Sequence, residues 1–251
     1  MRSARGDSAV ERFSLAQRVE HFLLLISFNV LVITGLPQKY FGEGWGERLI
    51  VLFGGIDQIR FIHRTFAVIL IALGLYHLVV VAATRRRPVR RHDMNLSMRD
   101  IRDMFADIRF LSGLSQERPR FGRFDYRQKF EYWAVLWGTV IMAVTGLLMW
   151  FPSLVTQWLP GVVVPAARVA HGGEALLAML AVVVWHFYNA HFRPDVFPMD
   201  PTMFTGKMTV ERLRHEHPEE FDELQEMGAL PEDPSPQTAG HPPTSPESGP
   251  A

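Results

Sequence analysis

The chain contains no cysteine among its 251 residues. Disulfide bonds, iron–sulfur clusters with thiolate ligands and covalently attached c-type haem are therefore excluded within it. A redox centre held by this chain must use histidine, methionine or other ligands. An excess of positive charge is also missing, because basic and acidic residues balance at 26 each. We therefore expect no nucleic-acid partner.

The mean hydropathy is only +0.05, because charged segments offset four long apolar stretches. Charge is scarce within these stretches and concentrated between them. About 20 apolar residues span a hydrocarbon core of roughly 30 Å. We predict transmembrane helices over about residues 15–36, 61–84, 130–151 and 164–192. The fold class is then an all-α membrane protein with a four-helix transmembrane bundle. No small-residue cleavage site follows the first stretch, so we expect no cleavable signal peptide.

The segments between these stretches predict smaller elements. Pro37 and Pro152 are expected to end the first and third helices. Residues 49–53 read as a short interfacial piece. Apolar residues at helical spacing between residues 98 and 108, with Arg and Asp among them, indicate an amphipathic helix on the membrane surface. One or two short helices are predicted near residues 209–224, broken at Pro218.

Four segments follow from this division. Residues 1–14 are polar and expected to be loose, and residues 15–192 form the membrane domain. Residues 193–228 form a helical extension, and residues 229–251 have a disordered composition. Lys and Arg are dense at residues 85–129 and in the N-terminal segment, so both termini and the long middle loop are expected in the cytoplasm.

Five histidines lie inside or at the ends of the apolar stretches. Ionisable residues within membrane helices are costly and are usually functional. One of them lies near the start of the first helix, and each of the second and fourth helices carries one near either end. They are His21, His63, His77, His171 and His186.

The spacing of these histidines along their helices indicates a chemical role. His63 and His77 are 14 residues apart, and His171 and His186 are 15 apart, which corresponds to roughly 21–22 Å along a helix. Each pair stays on one broad helix face. Two helices facing each other in this way offer two imidazoles near each membrane surface, as a haem iron with two axial imidazoles requires.

Other residues near the histidines either belong to the same haem site or have a general structural role. An arginine at the membrane edge can pair with a haem propionate or simply anchor the helix. Glycines permit close approach of a flat macrocycle or tight helix packing. Glu174 can relay protons or face water near the outer surface. The arginines are Arg18, Arg64 and Arg168, and the glycines are Gly35, Gly74, Gly146, Gly172 and Gly173.

At these positions the chain resembles the gamma (cytochrome b) subunit of bacterial formate dehydrogenase, within a group that includes the b-type cytochromes of nickel–iron hydrogenases. The resemblance covers about residues 12–225. Each matching stretch is weak alone, and their order and spacing together are fairly specific. The stretches are Arg18–His21, Ile62–Arg64, Gln128–Trp133, Val144–Gly146, Val169–His171, Trp185–Tyr188 and Gly206–Pro218.

The resemblance implies an outer haem held by His63 and His171 and an inner haem held by His21 and His186. It also implies a cytoplasmic quinone site beside the inner haem and the start of the third helix. That region here holds Asp125, Arg127, Gln128 and Lys129. Asp125 and Arg127 replace the Asn and Gly usual in the family.

His77 is a second departure, since formate dehydrogenase gamma subunits lack a histidine there. A branch associated with multihaem c-type cytochromes carries it. His77 can replace His21 as the partner of His186, or join His191 or His21 on a third haem. Alternatively, it only forms a hydrogen bond with a propionate or a quinone.

These observations predict an electron-transfer cytochrome b subunit of the bacterial inner membrane. It would carry two b haems, or three if His77 is also a ligand. It would connect the quinone pool with an extracytoplasmic partner, such as a separately encoded dehydrogenase, reductase or multihaem cytochrome. It would be part of an oxidoreductase complex rather than a complete enzyme, with no catalytic residue of its own. The alternatives are a stand-alone di-haem quinone oxidoreductase and a haem-free transporter or scaffold.

Overall fold

The computed structural model describes residues 8–84, 94–194 and 196–231. Four of its helices are long and apolar enough to cross a membrane, and most of their side chains are not buried within the protein. They are α1 (Leu15–Lys39), α3 (Ile56–Thr84), α5 (Tyr126–Trp150) and α7 (Val163–Leu180), the last continuing through π-helical turns to Phe192. The predicted four-helix membrane bundle is confirmed.

The bundle consists of two helical hairpins. Helix α1 packs along α3, and α5 packs along α7. Contacts between α3 and α5 and between α1 and α7 join the hairpins. The short helices α2 (Gly44–Leu52) and α6 (Pro152–Val155) lie within the two connections at the end of the bundle away from the N-terminus. Helix α2 contains most of the apolar piece that the sequence indicates.

Three membrane helices extend beyond their predicted bounds, and α3 does so by beginning at Ile56 rather than near residue 61. Helix α1 continues through Pro37 to Lys39, because a proline in the last turn removes only one hydrogen bond. Helix α5 begins at Tyr126 rather than near residue 130, since Asp125 caps it. The Asp125 carboxylate accepts a hydrogen bond from the Gln128 N–H at 2.9 Å, and the Gln128 side chain bonds back to the Asp125 N–H at 3.1 Å.

Helix α4 (Met98–Leu111) is the predicted amphipathic helix. Its acidic side is fixed to α5, with Asp100 2.9 Å from the Lys129 ammonium and Asp107 3.0 Å from the Tyr126 hydroxyl. Most of its large apolar side chains are exposed. This arrangement suits a helix that lies at the membrane surface across the start of α5.

Residues 8–14, 115–125 and 196–231 pack together at the end of the bundle where α1 begins, and we call this unit the cap. Strand β1 (Ala9–Glu11) pairs antiparallel with β2 (Lys207–Thr209). The remaining elements are the helices α8 (Thr202–Thr205), α9 (Val210–Glu216) and α10 (Pro218–Glu226). A small apolar core is formed by Met208, Leu213 and Leu224.

The structure of the cap differs from the prediction for the N-terminal segment and agrees with the predicted break at Pro218. The N-terminal segment was expected to be loose, whereas Ala9–Glu11 forms β1 because a partner strand lies about 200 residues away in sequence. Helices α9 and α10 meet at Pro218, where the break was predicted. Most of the segment predicted to be disordered, residues 232–251, lies outside the described residues.

A buried ionic cluster holds the cap together. Arg12, which is 2% exposed, pairs with Glu220 of α10. The same carboxylate group binds Arg123 at 2.6 Å, and Arg12 also donates to His217 Nε2 at 3.1 Å. One carboxylate thus connects the N-terminal segment, the segment before α5 and the C-terminal extension.

We predict that the cap loses stability as the pH falls. His217 Nδ1 donates to the Gly122 carbonyl at 2.7 Å, and burial followed by the Arg12 cation lowers the pKa of His217 to about 3. An unfolded histidine titrates near pH 6.5. Because only the opened cap takes up this proton, its stability is full above about pH 6.5 and declines as the pH falls towards about 3.

Protease protection of the C-terminal extension, compared between about pH 7.5 and about pH 5.5, measures this effect. Wild-type protein should be cleaved faster at the lower pH. His217→Gln should have a flatter pH dependence, whereas His215→Gln on the exposed side of α9 should keep the wild-type slope. Equal slopes for His217→Gln and wild type would contradict the assignment.

Candidate functional site

His63 and His171 face each other from different hairpins, near the end of the bundle away from the cap. Their ring centroids are 6.4 Å apart. A metal–imidazole bond is about 2 Å long and the ring centre lies roughly 1 Å beyond the nitrogen, so two imidazoles on one metal ion have centres about 6 Å apart. The separation fits one iron with two axial histidines.

Each of these rings is backed by a threonine and a glycine from the neighbouring helix. His63 Nδ1 is 2.9 Å from the Thr34 hydroxyl oxygen. A Cβ atom added at Gly35 would lie 3.1 Å from the Cε1 atom of His63. The glycine therefore leaves room for an imidazole, which is neither of the two roles that the sequence suggested.

The second hairpin repeats this arrangement. His171 Nδ1 is 3.0 Å from the Thr145 hydroxyl oxygen, and a Cβ atom at Gly146 would lie 3.4 Å from the Cε1 atom of His171. The sequence singled out both glycines, but it assigned no role to either threonine.

His21 and His186 form the second pair, near the cap, with ring centroids 6.3 Å apart. His186 Nδ1 is 3.4 Å from a carboxylate oxygen of Glu131. His21 Nδ1 is buried and has no hydrogen-bond partner, so it is free for a group that the protein does not supply. His186 also lies in the π-helical part of the fourth membrane helix, and such turns are frequent at functional sites.

The two pairs fit b-type haem in number, spacing and chemistry. His171 and His186 are 15 positions apart, which separates the two pairs by roughly 20 Å along the bundle. In residues 8–84, 94–194 and 196–231, no group of three or more His, Cys, Asp or Glu side chains could hold a metal ion. Imidazoles that meet in twos suit haem iron with two axial ligands.

His77 lies at the level of the second pair but interacts with other groups. Its Nδ1 is 2.8 Å from a Glu20 carboxylate oxygen, and its Nε2 is 3.1 Å from the Tyr132 hydroxyl. His21, rather than His77, stands opposite His186. His191 packs edge-on against Phe187, with ring centroids 5.6 Å apart.

The three arginines predicted to lie near haem propionates have different surroundings in the structure. Arg18 donates to the Phe204 carbonyl, and its Nε is buried without a hydrogen-bond partner. The Arg64 guanidinium lies 5.1 Å from the centroid of the Trp150 ring, and Arg168 is exposed on α7.

Sequence reasoning missed a further cation near the first pair. A Cβ atom at Gly172 would lie 2.8 Å from the Lys39 ammonium, so this ammonium rests on the α7 backbone beside His171. The only signal in the sequence is a lysine at the end of the first apolar stretch.

The four residues predicted to contact a quinone have partners within the protein. Asp125 and Gln128 form the α5 cap, Arg127 is 2.8 Å from Asp125, and Lys129 binds Asp100. A cavity of about 50 Å³ lies between the start of α5 and the end of the fourth membrane helix. Its lining includes Asp125, Arg127, Gln128, Glu131, Asn189 and Arg193.

Glu174 faces α5. Its carboxylate oxygen would lie 2.9 Å from a Cβ atom built on Gly138, which is near the middle of that helix. The carboxylate thus lies against the α5 backbone.

Comparison with known proteins identifies a family for this chain. The prokaryotic cytochrome b561 family matches residues 12–206. The cytochrome b556(Fdn) subunit of nitrate-inducible formate dehydrogenase from Escherichia coli K12 is 22% identical over 220 residues, covering 88% of this chain and 94% of that protein.

Two further relatives are similar along most of their length. The cytochrome b556(fdo) subunit of formate dehydrogenase from Escherichia coli K12 is 24% identical over 225 residues, covering 88% of this chain and 95% of that protein. The formate dehydrogenase cytochrome b556 subunit of Haemophilus influenzae is 24% identical over 218 residues, covering 87% and 84%. The chain, a four-helix membrane protein with histidines paired between its hairpins, belongs to the prokaryotic cytochrome b561 family.

Proposed function

We propose that this membrane cytochrome carries two b haems and connects an extracytoplasmic redox partner with the quinone pool. The observation that carries the proposal is the meeting of two imidazoles at each of two levels of the bundle, with ring centroids 6.4 and 6.3 Å apart. Membership of a cytochrome b family favours b-type haem over a haem-free transporter or scaffold.

The chain's own residues hold and surround the two groups. His63 and His171 would bind the outer iron, and His21 and His186 the inner one. When bound, the haems would supply one-electron transfer between the two faces of the bilayer. Near the inner pair, the unpartnered Nε of Arg18 is available to a propionate.

The contacts of His77 favour two haems over three. Both of its ring nitrogens already contact protein groups, Glu20 and Tyr132. An imidazole that binds iron needs one nitrogen lone pair directed at the metal. We therefore assign His77 a hydrogen-bonding role beside the inner haem.

The orientation follows from the Lys and Arg distribution, which puts the cap and α4 in the cytoplasm. The quinone would bind at the cap-side end of the bundle, beside the polar cavity bounded by Gln128 and Glu131. Reduction of a quinone there would draw its protons from the cytoplasm.

The three relatives described above are named as subunits of formate dehydrogenases. By analogy, we propose that a separately encoded dehydrogenase, reductase or multihaem cytochrome exchanges electrons with the outer haem. Capture of such a partner from native membranes would support the role of a subunit. Quinol oxidation by the pure chain with a small diffusible oxidant would favour the stand-alone alternative.

Haem content and spectrum test the core of the proposal. Detergent-purified protein should contain about two haems per chain and show a b-type band on reduction. In proteoliposomes, a short-chain quinol should reduce this band. A folded but colourless protein, or one with a single haem, would contradict the proposal.

A further inference from the structure

A Thr-Gly pair recurs at the same place in both hairpins. Thr34-Gly35 on α1 lies against His63 of α3, and Thr145-Gly146 on α5 lies against His171 of α7. Both threonines are buried, at 1% and 9% exposure. Two such coincidences at one histidine pair suggest a shared role.

The hydrogen bonds of each threonine define the direction of its bond to the imidazole. A hydroxyl has one hydrogen. The Thr34 hydroxyl lies 2.6 Å from the Val30 carbonyl, and the Thr145 hydroxyl lies 2.6 Å from the Ile141 carbonyl. Since a carbonyl only accepts, both hydroxyl hydrogens are committed to the helix backbone.

The facing imidazole nitrogens must therefore donate. His63 Nδ1–H donates to Thr34 at 2.9 Å, and His171 Nδ1–H donates to Thr145 at 3.0 Å. A neutral imidazole with its proton on Nδ1 has its lone pair on Nε2. Both rings are thereby held in the form that binds a metal through Nε2.

We infer that Thr34 and Thr145 are positioning residues, which fix the tautomer and orientation of His63 and His171 as ligands of the outer haem. The inference rests on the proposed function, because it takes these two histidines to be ligands. Neither histidine of the inner pair has an equivalent threonine: His186 Nδ1 faces a carboxylate, and His21 Nδ1 has no hydrogen-bond partner.

The role has a consequence for the redox potential. A hydrogen bond donated by a ligating imidazole makes the ligand more basic, which favours ferric over ferrous iron. Removal of the hydroxyl should therefore raise the potential of the outer haem. The inner haem, about 20 Å away, should be unaffected.

Redox titration and electron paramagnetic resonance of purified Thr34→Val and Thr145→Val proteins test the inference. Both should keep two haems, with the outer midpoint potential shifted upwards and the g-values of its ferric form changed. Thr34→Ser, which keeps the hydroxyl, should restore wild-type values. Thr65→Val is the matched control, since Thr65 bonds its helix backbone at 2.9 Å in the same way and is exposed on α3.

Outer-haem potentials equal to those of Thr65→Val in both valine proteins would overturn the inference. If Thr34→Val lost both haems, the Thr34→Ala protein would be measured instead, because alanine adds no methyl group to the site. The outer-haem potential of Thr34→Ala should shift upwards, and a wild-type potential would overturn the inference. Failure of the proposed function looks different. In that case, wild-type protein lacks the outer haem, or histidine substitutions leave it in place.

Discussion

Replacement of His63 by alanine should remove one haem and leave the other. His63 and His171 come from different hairpins, and their rings are separated by the distance that one shared iron requires. A haem held by a single remaining imidazole is bound weakly and should be lost during purification. His21 and His186 lie at the other level, so the inner haem should stay low-spin.

The measurement is the haem-to-protein ratio, which should fall from about two to about one, with the spectrum of the remaining haem unchanged. His77→Ala is the control on the same helix and should keep both haems, since His77 contacts Glu20 and Tyr132. Retention of both low-spin haems by His63→Ala would refute the pairing. Loss of a haem in His77→Ala would restore its role as a ligand.

Replacement of Glu220 by alanine should open the cap. Arg12 and Arg123 share this carboxylate, and Arg12 is almost fully buried. Burial, together with the nearby Arg123, already lowers the pKa of Arg12 to about 9. Removal of one partner from a buried ion pair typically costs about 3–5 kcal/mol, because a desolvated charge is left uncompensated.

Asp222→Ala provides a matched control two residues further along α10. Asp222 pairs with Arg120 at 2.5 Å, but both side chains are more than half exposed. Exposed pairs contribute only about 0–1 kcal/mol, so little change is expected.

Limited proteolysis of the C-terminal extension measures the difference between the two proteins. A loss of about 3 kcal/mol raises the open population roughly 100-fold. Cleavage of Glu220→Ala should accelerate accordingly, while haem content should stay constant because the four proposed haem ligands lie in the membrane helices. Cleavage at the rate of Asp222→Ala would show that the buried cluster does not hold the cap.

The cap explains how a short N-terminal segment acquires structure. Residues 9–11 have no local signal for a strand, and they form one because β2 offers a ladder of backbone hydrogen bonds. Such pairing depends on residues about 200 positions apart. The break at Pro218 and the two short helices of the extension could therefore be predicted from the sequence, but the strand that attaches them to the N-terminus could not.

The sequence by itself determined the four membrane helices, the absence of thiolate ligands and the presence of histidines near both ends of the bundle. These are local properties, because hydrophobic length and residue depth are read along one helix. Spacing along α3 and α7 also placed His63 and His171 near one end. The pairing of these histidines came from the family resemblance.

The tertiary structure decided whether His21 or His77 faces His186, and it showed which side chains lie beside the first pair. His21 rather than His77 stands opposite His186, and Thr34 and Thr145 support the first pair. Both outcomes depend on how each helix is rotated about its axis and packed against its neighbours. A helix fixes only the relative angles of its own residues, so partners on different helices are decided by packing.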